Sequence, residues 1–205
     1  MKIICIGHNY SDHIKGLSNK TPENPVFFMK PDTALLRNNE DFYIPEFSNE
    51  INYEIELVVK IDRVTKAIDR KFAHRCYSEI GVGIDFTAHD LIQKCKENGL
   101  PWEIAKSFDK SAPLSARFIP IENIGGDINN INFELKINGE TRQKSNSKDM
   151  INDINTIIEY VSKFVTLKIG DLIFTGTPSG VGQVKIGDRL EAYIENDKLM
   201  DFNIK

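Results

Sequence analysis

The sequence predicts a β-rich α+β fold, formed by a single domain over residues 1–205. Many short runs are apolar or alternate between apolar and polar residues, which is typical of strands, whereas only two segments show helical spacing. The strands are not interleaved with helices as βαβ units require, so a doubly wound parallel sheet is not expected. A length of 205 residues suits one domain, or one compact domain with a small appendage.

Composition excludes several classes of protein. Hydrophobic residues make up 40% and charged residues 27%, which allows a buried core and argues against wholesale disorder. The net charge of −4 lacks the basic footprint of a nucleic-acid-binding protein. No apolar run approaches the roughly 18 residues that span a membrane, and the first residues are too short an apolar run for a signal peptide. We therefore expect no nucleic-acid partner and no membrane association.

The three cysteines, Cys5, Cys76 and Cys95, are odd in number and widely spaced. Such spacing forms neither a disulfide framework nor a zinc-binding pattern. A reducing cytoplasm is the predicted location.

The first half of the chain contains the clearest strand. Residues 2–6 and 25–30 are short apolar strands, the second stopped by Pro31, and residues 7–24 between them form a loop or short helix. Residues 52–61 alternate so that Glu54, Glu56, Val58 and Lys60 share one face of a strand.

A second buried strand, residues 80–84, ends at Asp85, and a helix follows over about residues 88–98. Thr87 with Asp90 matches a capping box at the start of this helix. Gly99 and the proline two residues later end it.

The second half predicts a hairpin, a helix and two further strands. Asn138-Gly139 joins residues 133–137 to a strand that begins at Glu140. Isoleucine and valine recur at helical spacing over about residues 149–164, which predicts an amphipathic helix. Gly-Asp turns at 170–171 and 187–188 lead into strands at residues 172–175 and 189–195.

Glu54 and Glu56 are the first candidates for a functional site. Strand periodicity places both carboxylates side by side, where their charges repel unless a cation offsets them. Hard oxygen ligands suit Mg²⁺, Mn²⁺ or Ca²⁺ rather than Zn²⁺. The alternative is an ordinary solvated strand face, which Glu-x-Glu alone favours. Asp85 adds weight because it ends a buried strand and needs a partner, although a helix cap or a structural salt bridge would also provide one.

These residues belong to a set of motifs that runs in order along nearly the whole chain and resembles the fumarylacetoacetate hydrolase superfamily. The resemblance is to its short single-domain members, the acylpyruvate hydrolases and the oxaloacetate decarboxylases or tautomerases. The matching segments are CIGHNYSDH (5–13), FFMKP (27–31), YEIEL (53–57), DFTAHD (85–90) with Gln93, LPWEIAKSF (100–108), GDLIFTGTP (170–178) and GD (187–188).

The resemblance implies a mixed β-sandwich roll with flanking helices, assembled as a homodimer, that acts on a small oxo-acid. It makes Glu54, Glu56 and Asp85 the ligands of Mg²⁺ or Mn²⁺, with Ca²⁺ an alternative in crystals. It makes His13 and Lys106 catalytic. The residues that it places around the substrate are His8, Tyr10, Lys30, His89, Gln93 and Thr177.

The residues themselves leave alternatives at two of these positions. Lys106 lies in a mostly apolar stretch, so its ammonium needs an anion, either Asp109 or a substrate carboxylate, unless only its stem is buried. The glycines around Thr177 (Gly176, Gly180 and Gly182) bring backbone amides close to an anion or simply form a turn. The Gly-Lys-Ser/Thr of a phosphate loop is missing there, which disfavours nucleotide binding.

The chain departs from the pattern of the superfamily at three positions. The usual His-x-x-Glu would place a glutamate at Gly16, which leaves His13 without an orienting partner unless Asp12 or Glu23 replaces it. His8 and His89 stand where arginines are common, so two bidentate carboxylate-binding groups are replaced by weaker, pH-dependent donors.

Three hypotheses follow, in this order. The first is metal-dependent hydrolysis of a carbon–carbon bond in an acylpyruvate-like diketo acid, with His13 activating water and Lys106 and Thr177 stabilising the developing charge. The second is decarboxylation, tautomerisation or isomerisation of oxaloacetate-like or 2-oxo-diene diacids, which needs no activated water. The third is a metal- and oxo-acid-binding protein with little catalysis.

Overall fold

The computed structural model describes residues 1–11 and 22–205, and the strands of these residues are numbered in chain order. They are β1 Ile3–Gly7, β2 Val26–Lys30, β3 Leu35–Leu36, β4 Ile51–Tyr53, β5 Ile55–Lys60, β6 Glu79–Ile84, β7 Thr87–Ala88, β8 Ala112–Pro113, β9 Ile119–Pro120, β10 Asn132–Ile137, β11 Glu140–Asn146, β12 Leu172–Phe174, β13 Gly182–Gln183, β14 Arg189–Ile194 and β15 Asp197–Asn203. His13, a predicted catalytic residue, lies outside the described residues.

The helices of the same part of the chain are fewer than the strands. They are α1 Arg70–Ala73, α2 His89–Glu97, α3 Glu103–Lys106 and α4 Ile154–Phe164. Single 3₁₀ turns occur at Asp32–Ala34, His74–Cys76, Ile121–Ile124 and Ser147–Asp149. None of the described helices is long and apolar enough to cross a membrane.

Two larger sheets dominate the architecture. A six-stranded sheet has the order β2-β1-β12-β5-β6-β9, in which only β1 and β12 pair in parallel. An antiparallel four-stranded sheet has the order β11-β10-β14-β15. Smaller sheets join β13, β4 and β7, and β3 and β8. This mixed α+β arrangement confirms the predicted fold class.

The apolar core lies between the two larger sheets. Leu57 and Val82 from the six-stranded sheet share one buried cluster with Leu135 and Ala192 from the four-stranded sheet, and Ile157 of α4 joins them. A second, smaller cluster covers the opposite face of the six-stranded sheet and includes Val58 of β5. Strand β5 is therefore buried on both faces, so the solvated-face interpretation of Glu54 and Glu56 does not apply to it.

The strand predicted over residues 52–61 is interrupted at Glu54. Strand β4 pairs with β7 and β13, whereas β5 pairs with β6 and β12 in the six-stranded sheet. The chain therefore changes sheet at Glu54. Period-two reasoning does not detect such a change, because the apolar and polar residues continue to alternate across it.

The helix predicted over residues 88–98 is observed at His89–Glu97, but its predicted capping box is wrong. The N-cap is Ala88, and no side chain caps it. The Thr87 hydroxyl instead donates to Glu54 Oε1 at 2.7 Å. Asp90 accepts from the hydroxyl of Ser48 at 2.6 Å. Both side chains of the predicted capping box thus form hydrogen bonds with residues distant in sequence.

The helix predicted over residues 149–164 begins later, at Ile154. Asp153 is its N-cap and accepts from the amide of Thr156 at 2.8 Å. The residues before it pair with another segment, since the amide of Ile151 donates to the carbonyl of Asn9 at 2.8 Å. The Asn138-Gly139 hairpin is confirmed, with φ angles of 54° and 82° that suit its tight turn.

Candidate metal centre

Three carboxylates converge where β5 begins and β6 ends. The register pairs Glu56 with Gly83, and the amide of Asp85 donates to the carbonyl of Glu54 at 2.8 Å, which places Asp85 beside the interrupted strand. Glu54, Glu56 and Asp85 each offer an oxygen, and these oxygens lie within 4.8 Å of one another. Glu56 and Asp85 are each 1% exposed. The structure therefore brings together the three acids that the sequence selected.

Two buried lysines accompany these acids. Lys106 Nζ lies 3.0 Å from Glu54 Oε2 and 2.9 Å from Asp85 Oδ2. Lys30 Nζ lies 2.8 Å from Asp85 Oδ1. The anions that hold Lys106 are thus Glu54 and Asp85 in place of Asp109, the neighbouring acid that the sequence suggested.

The two lysines compensate the charges of the three acids unequally. Although burial opposes it, the charges of Lys106 and Lys30 hold the pKa of Asp85 below its ordinary value. Against the same burial, Asp85 and Glu54 raise the pKa of Lys106, which keeps its ammonium protonated. Burial, followed by the charges of Asp85 and Glu54, raises the pKa of Glu56 well above its ordinary value. Glu56 is therefore the acid whose charge is least compensated.

This charge distribution fits a divalent cation. Three carboxyl groups face two lysine side chains, and within residues 1–11 and 22–205 no ion pair includes Glu56. The amide of Gly176 donates to Glu56 Oε2 at 2.7 Å. A hard cation such as Mg²⁺, Mn²⁺ or Ca²⁺ accepts oxygen donors of this kind and would compensate the buried charge.

Gln143, a residue of β11 that the sequence did not single out, fixes the neighbouring loop. Its Oε1 accepts from the amide of Ile55 at 2.9 Å, and its Nε2 donates to Thr177 Oγ1 at 2.9 Å and to the carbonyl of Pro178 at 3.0 Å. This buried amide therefore ties the loop after β12 to the first residue of β5, next to Glu54. Nothing in its local sequence distinguishes it from the other polar residues of β11.

A cavity of about 420 Å³ opens beside the carboxylates. Its lining contains several of the residues that the sequence predicted, namely His8, Glu54, Asp85, His89, Gln93 and Lys106. It also contains polar or aromatic residues that the sequence did not assign to the site, namely Phe28, Glu50, Asn52, Thr87, Lys96, Trp102 and Gln183. Six residues of the predicted site thus meet around one cavity.

The structure places Lys30, Tyr10 and Thr177 outside the lining of this cavity. Besides Asp85, Lys30 Nζ contacts the carbonyls of Phe86 and Ser111, at 3.2 and 3.1 Å, so it lies behind the carboxylates. The hydroxyl of Thr177 is held by Gln143. Direct contact of these three side chains with a substrate stays a prediction.

Tyr10 lines a smaller cavity of about 140 Å³ instead. Its ring packs edge-on against Phe133, with 6.1 Å between the centroids. Burial, followed by the charge of Glu56, raises the pKa of its phenol, so the side chain is neutral.

Gly176, in the loop after β12, contacts the protein itself. Gly176 has a φ of 96°, and its amide faces Glu56 rather than an external anion. A Cβ at Gly176 would lie 2.7 Å from Asn9 Cβ, so the close approach of these two segments requires glycine.

Comparison with known proteins agrees with this architecture. The sequence pattern described as fumarylacetoacetate (FAA) hydrolase C-terminal matches residues 2–203. The chain is 41% identical over 198 residues to an oxaloacetate tautomerase of Escherichia coli, covering 97% of this chain and 90% of that protein. It is 39% identical over 203 residues to the mitochondrial oxaloacetate tautomerase of Homo sapiens, covering 99% and 91%.

Solved structures extend the likeness to the fold. The crystal structure of fumarylpyruvate hydrolase from Pseudomonas aeruginosa in complex with Mn²⁺ and pyruvate superposes with a TM-score of 0.93 at 32% identity, covering 100% of this chain and 89% of that one. With the family pattern spanning nearly all of its length and relatives this similar, the chain belongs to the fumarylacetoacetate hydrolase family.

Proposed function

We propose that this protein is a divalent-metal-dependent tautomerase that interconverts the keto and enol forms of oxaloacetate-like 2-oxo acids. The observation that carries the proposal is the convergence of Glu54, Glu56 and Asp85 beside the Lys106 ammonium. Glu54, Asp85 and Lys106 also line a cavity of about 420 Å³. Relatives named oxaloacetate tautomerases match along 97% and 99% of the chain. This reverses the order of the sequence-based hypotheses, which placed hydrolysis first.

Glu54, Glu56 and Asp85 would hold the cation. A bound Mg²⁺ or Mn²⁺ supplies Lewis-acid polarisation of the carboxylate and 2-oxo oxygens of a substrate. Lys106 is fixed by Glu54 and Asp85 and stays protonated, so its positive charge would stabilise a substrate oxygen that gains negative charge. Such a preorganised charge acts without rearranging during the reaction.

Aromatic side chains make the part of the cavity near Lys106 less polar. Phe28 and Trp102 pack with 6.1 Å between their ring centroids, and Lys106 Nζ lies 5.2 Å from the centroid of Phe28. Both rings line the cavity. Electrostatic interactions of Lys106 with a substrate are stronger in such an environment than in water.

Hydrolysis of an acylpyruvate-like diketo acid is the second candidate. It is favoured by the likeness to the fumarylpyruvate hydrolase of Pseudomonas aeruginosa. It requires an activated water, whereas keto–enol exchange requires only proton transfer and charge stabilisation. The homodimer and the cytoplasmic location stay predictions.

The test is a comparison of substrates and metals. Purified protein with Mg²⁺ or Mn²⁺ should accelerate the keto–enol exchange of oxaloacetate above the rate of metal and buffer alone, and EDTA should abolish the acceleration. Glu54→Ala should reduce it by about two orders of magnitude or more, since it removes both a metal ligand and a partner of Lys106. Glu46→Ala, at an exposed residue outside the cavity, is the matched control.

The same preparation should be offered oxaloacetate and acetylpyruvate while pyruvate is measured. Rapid release of pyruvate from acetylpyruvate without keto–enol exchange of oxaloacetate would replace the tautomerase by the hydrolase. Activity that persists in EDTA would remove the metal from the proposal. Metal binding without turnover of either compound would favour the catalytically weak binding protein.

A further inference from the structure

A carboxylate and an imidazole face each other on the wall of the main cavity. His89 Nδ1 lies 2.8 Å from Glu50 Oε1. On the other side of the ring, His89 Nε2 lies 3.2 Å from Gln93 Nε2. All three residues line the cavity that contains Glu54, Asp85 and Lys106. A carboxylate–imidazole–amide series thus borders the space where a substrate would lie.

The backbone fixes this series. Strands β4 and β7 pair Ile51 with Ala88, so the residues just before and just after them, Glu50 and His89, become neighbours. The amide of His89 also donates to the carbonyl of Glu50 at 2.7 Å. An exposed ion pair between two freely moving side chains contributes little to stability. Here the two backbones are joined, so the side chains are held in register.

A second set of contacts holds the segment before β4 against α2. Asp90 accepts from Ser48 Oγ at 2.6 Å and from the amide of Asn49 at 3.2 Å. The three residues that precede β4 are therefore attached to the first turn of the helix that carries His89 and Gln93. This explains why Asp90 does not act in the capping box that its position suggested.

The hydrogen bonds define the proton positions on the imidazole. An ionised Glu50 only accepts, so Nδ1 of His89 carries a proton and Nε2 is the position that can gain or lose one. The amide of Gln93 can donate its N–H to an unprotonated Nε2 or, after rotation, accept from a protonated Nε2 through its oxygen. Both states of Nε2 are thus satisfied, which suits a group that carries a proton.

Two other ionisable groups that line the cavity are each held in one protonation state. Lys106 is held as an ammonium, and Asp85 is held ionised by two lysines. Lys96 also lines the cavity, with 5.8 Å between its Nζ and the centroid of the Trp102 ring, and burial together with the charge of Lys106 lowers its pKa. Among the described residues, His8 also lines this cavity and is a second imidazole. The case for His89 is the contact of its Nδ1 with the Glu50 carboxylate.

We infer that His89 and Glu50 form the proton-transfer pair of this site, an inference that rests on the proposed tautomerase function. His89 Nε2 takes the proton from C3 of the keto acid, and the C3–H electron pair becomes the C2=C3 double bond. The carbonyl pair moves onto the 2-oxygen, which takes a proton from solvent, and the imidazolium releases its proton to solvent. His89 is then a catalytic residue, and Glu50 is a positioning residue that fixes its tautomer and orientation.

The test compares keto–enol exchange of oxaloacetate with the uptake of solvent deuterium at its C3, measured by NMR. His89→Gln should lower kcat for both by about 10² to 10⁴, the range of general acid–base catalysis, and change KM by less than about threefold. Glu50→Gln should lower kcat less, because its amide oxygen still accepts from Nδ1. Glu50→Ala should lower it more, and Glu50→Asp should recover part of it.

Controls separate this inference from the proposed function. Mn²⁺ affinity and melting temperature should match the wild type in every variant, because neither residue belongs to the carboxylate cluster. His74→Gln and Glu46→Gln, both at exposed residues away from the cavity, are the matched substitutions. A wild-type protein that binds Mn²⁺ but does not exchange oxaloacetate would defeat the proposed function and this inference with it.

Two outcomes would overturn the inference alone. The first is an active wild type whose His89→Gln variant keeps kcat within about threefold. The second is a loss in His89→Gln that lies in KM only, which would make His89 a binding residue. A parallel His8→Gln variant that alone abolishes deuterium uptake would assign proton transfer to the other imidazole.

Discussion

At the scale of single residues, Lys106 has two relationships to the candidate metal centre. It compensates Glu54 and Asp85 while it lines the cavity where a substrate would bind. A divalent cation would contact the same carboxylates, so Lys106 and the cation would both compensate their negative charge. The ammonium lies beside one carboxylate oxygen of Asp85, and Lys30 is bound to the other.

This arrangement predicts the behaviour of Lys106→Met. The variant replaces a buried ammonium with a neutral side chain of similar length, so Glu54 and Asp85 lose a partner. The metal-free protein should therefore lose about 3–5 kcal/mol of unfolding free energy. Mn²⁺ should restore most of that loss and bind at least as tightly as in the wild type, because a competing positive charge is gone. Tautomerase kcat should nevertheless fall by at least about 100-fold, the loss typical of one charge-stabilising donor.

Chemical unfolding in EDTA and in Mn²⁺, titration calorimetry and the oxaloacetate assay measure these three effects. Lys185→Met, at an exposed lysine outside the cavity, should change none of them. Weaker Mn²⁺ binding in Lys106→Met would mean that the lysine organises the carboxylates rather than competing with the cation. Retained kcat would exclude Lys106 from charge stabilisation.

At the scale of elements, the loop after β12 contacts Glu56, the acid whose charge is least compensated. The amide of Gly176 donates to Glu56, and Asn9 fixes the same loop because its Nδ2 donates to the carbonyl of Thr175 at 2.8 Å. Gln143 attaches the next residues of the loop to β5. A short loop without regular structure is thereby held by Asn9, which follows β1, and by residues of β5 and β11.

Gly176→Ala tests that support. Alanine at a φ of 96° is strained, and its Cβ would meet Asn9 at 2.7 Å, so the amide should move away from Glu56. Gly187 has a similar φ of 94°, but a Cβ added there would meet no atom within 4 Å, which makes Gly187→Ala the control for backbone strain alone. Both variants should lose about 1–3 kcal/mol of unfolding free energy from the backbone.

Only Gly176→Ala should also weaken Mn²⁺ binding, by about tenfold, the lower end of the effect of losing a hydrogen bond to a metal ligand. Titration calorimetry of both variants measures the difference. Equal Mn²⁺ affinities would show that the contact from Gly176 to Glu56 does not organise the site.

At the scale of the whole molecule, the candidate metal centre lies where separate sheets meet. Glu54 stands between a small sheet and the six-stranded sheet, and Glu56 and Asp85 come from neighbouring strands of the latter. Unfolding separates the three carboxylates. A cation that binds all three should therefore bind the folded protein and not the unfolded chain, and binding should stabilise the fold.

The expected stabilisation is about 2.7 kcal/mol at a metal concentration 100 times the Kd. For a chain of this size it corresponds to a rise in Tm of about 5–11 °C. Calorimetry with Mg²⁺, Mn²⁺ and EDTA measures the effect, and Glu56→Gln should reduce it strongly, because it replaces a charged ligand with a neutral one of the same shape. A Tm independent of metal would contradict the assignment of these acids as ligands.

The sequence by itself determined the fold class, the positions of the main strands, the Asn138-Gly139 hairpin and the identity of the three acids. These features depend on local periodicity, turn chemistry and an ordered set of motifs, all of which can be read along the chain. The predicted helix ends were less accurate, because Thr87 and Asp90 bond to distant residues instead of capping α2. Burial on both faces of β5 was also hidden, since it depends on which elements cover the sheet.

Only the tertiary structure decided how the site is supported. The partners of Lys106 lie 52 and 21 residues away in sequence, and Gln143 holds a loop 34 residues further along the chain. The pairing of Glu50 with His89 depends on the register of β4 against β7, which no local pattern encodes. Residue type determines which chemistry a side chain can perform, whereas long-range packing determines which side chains act together.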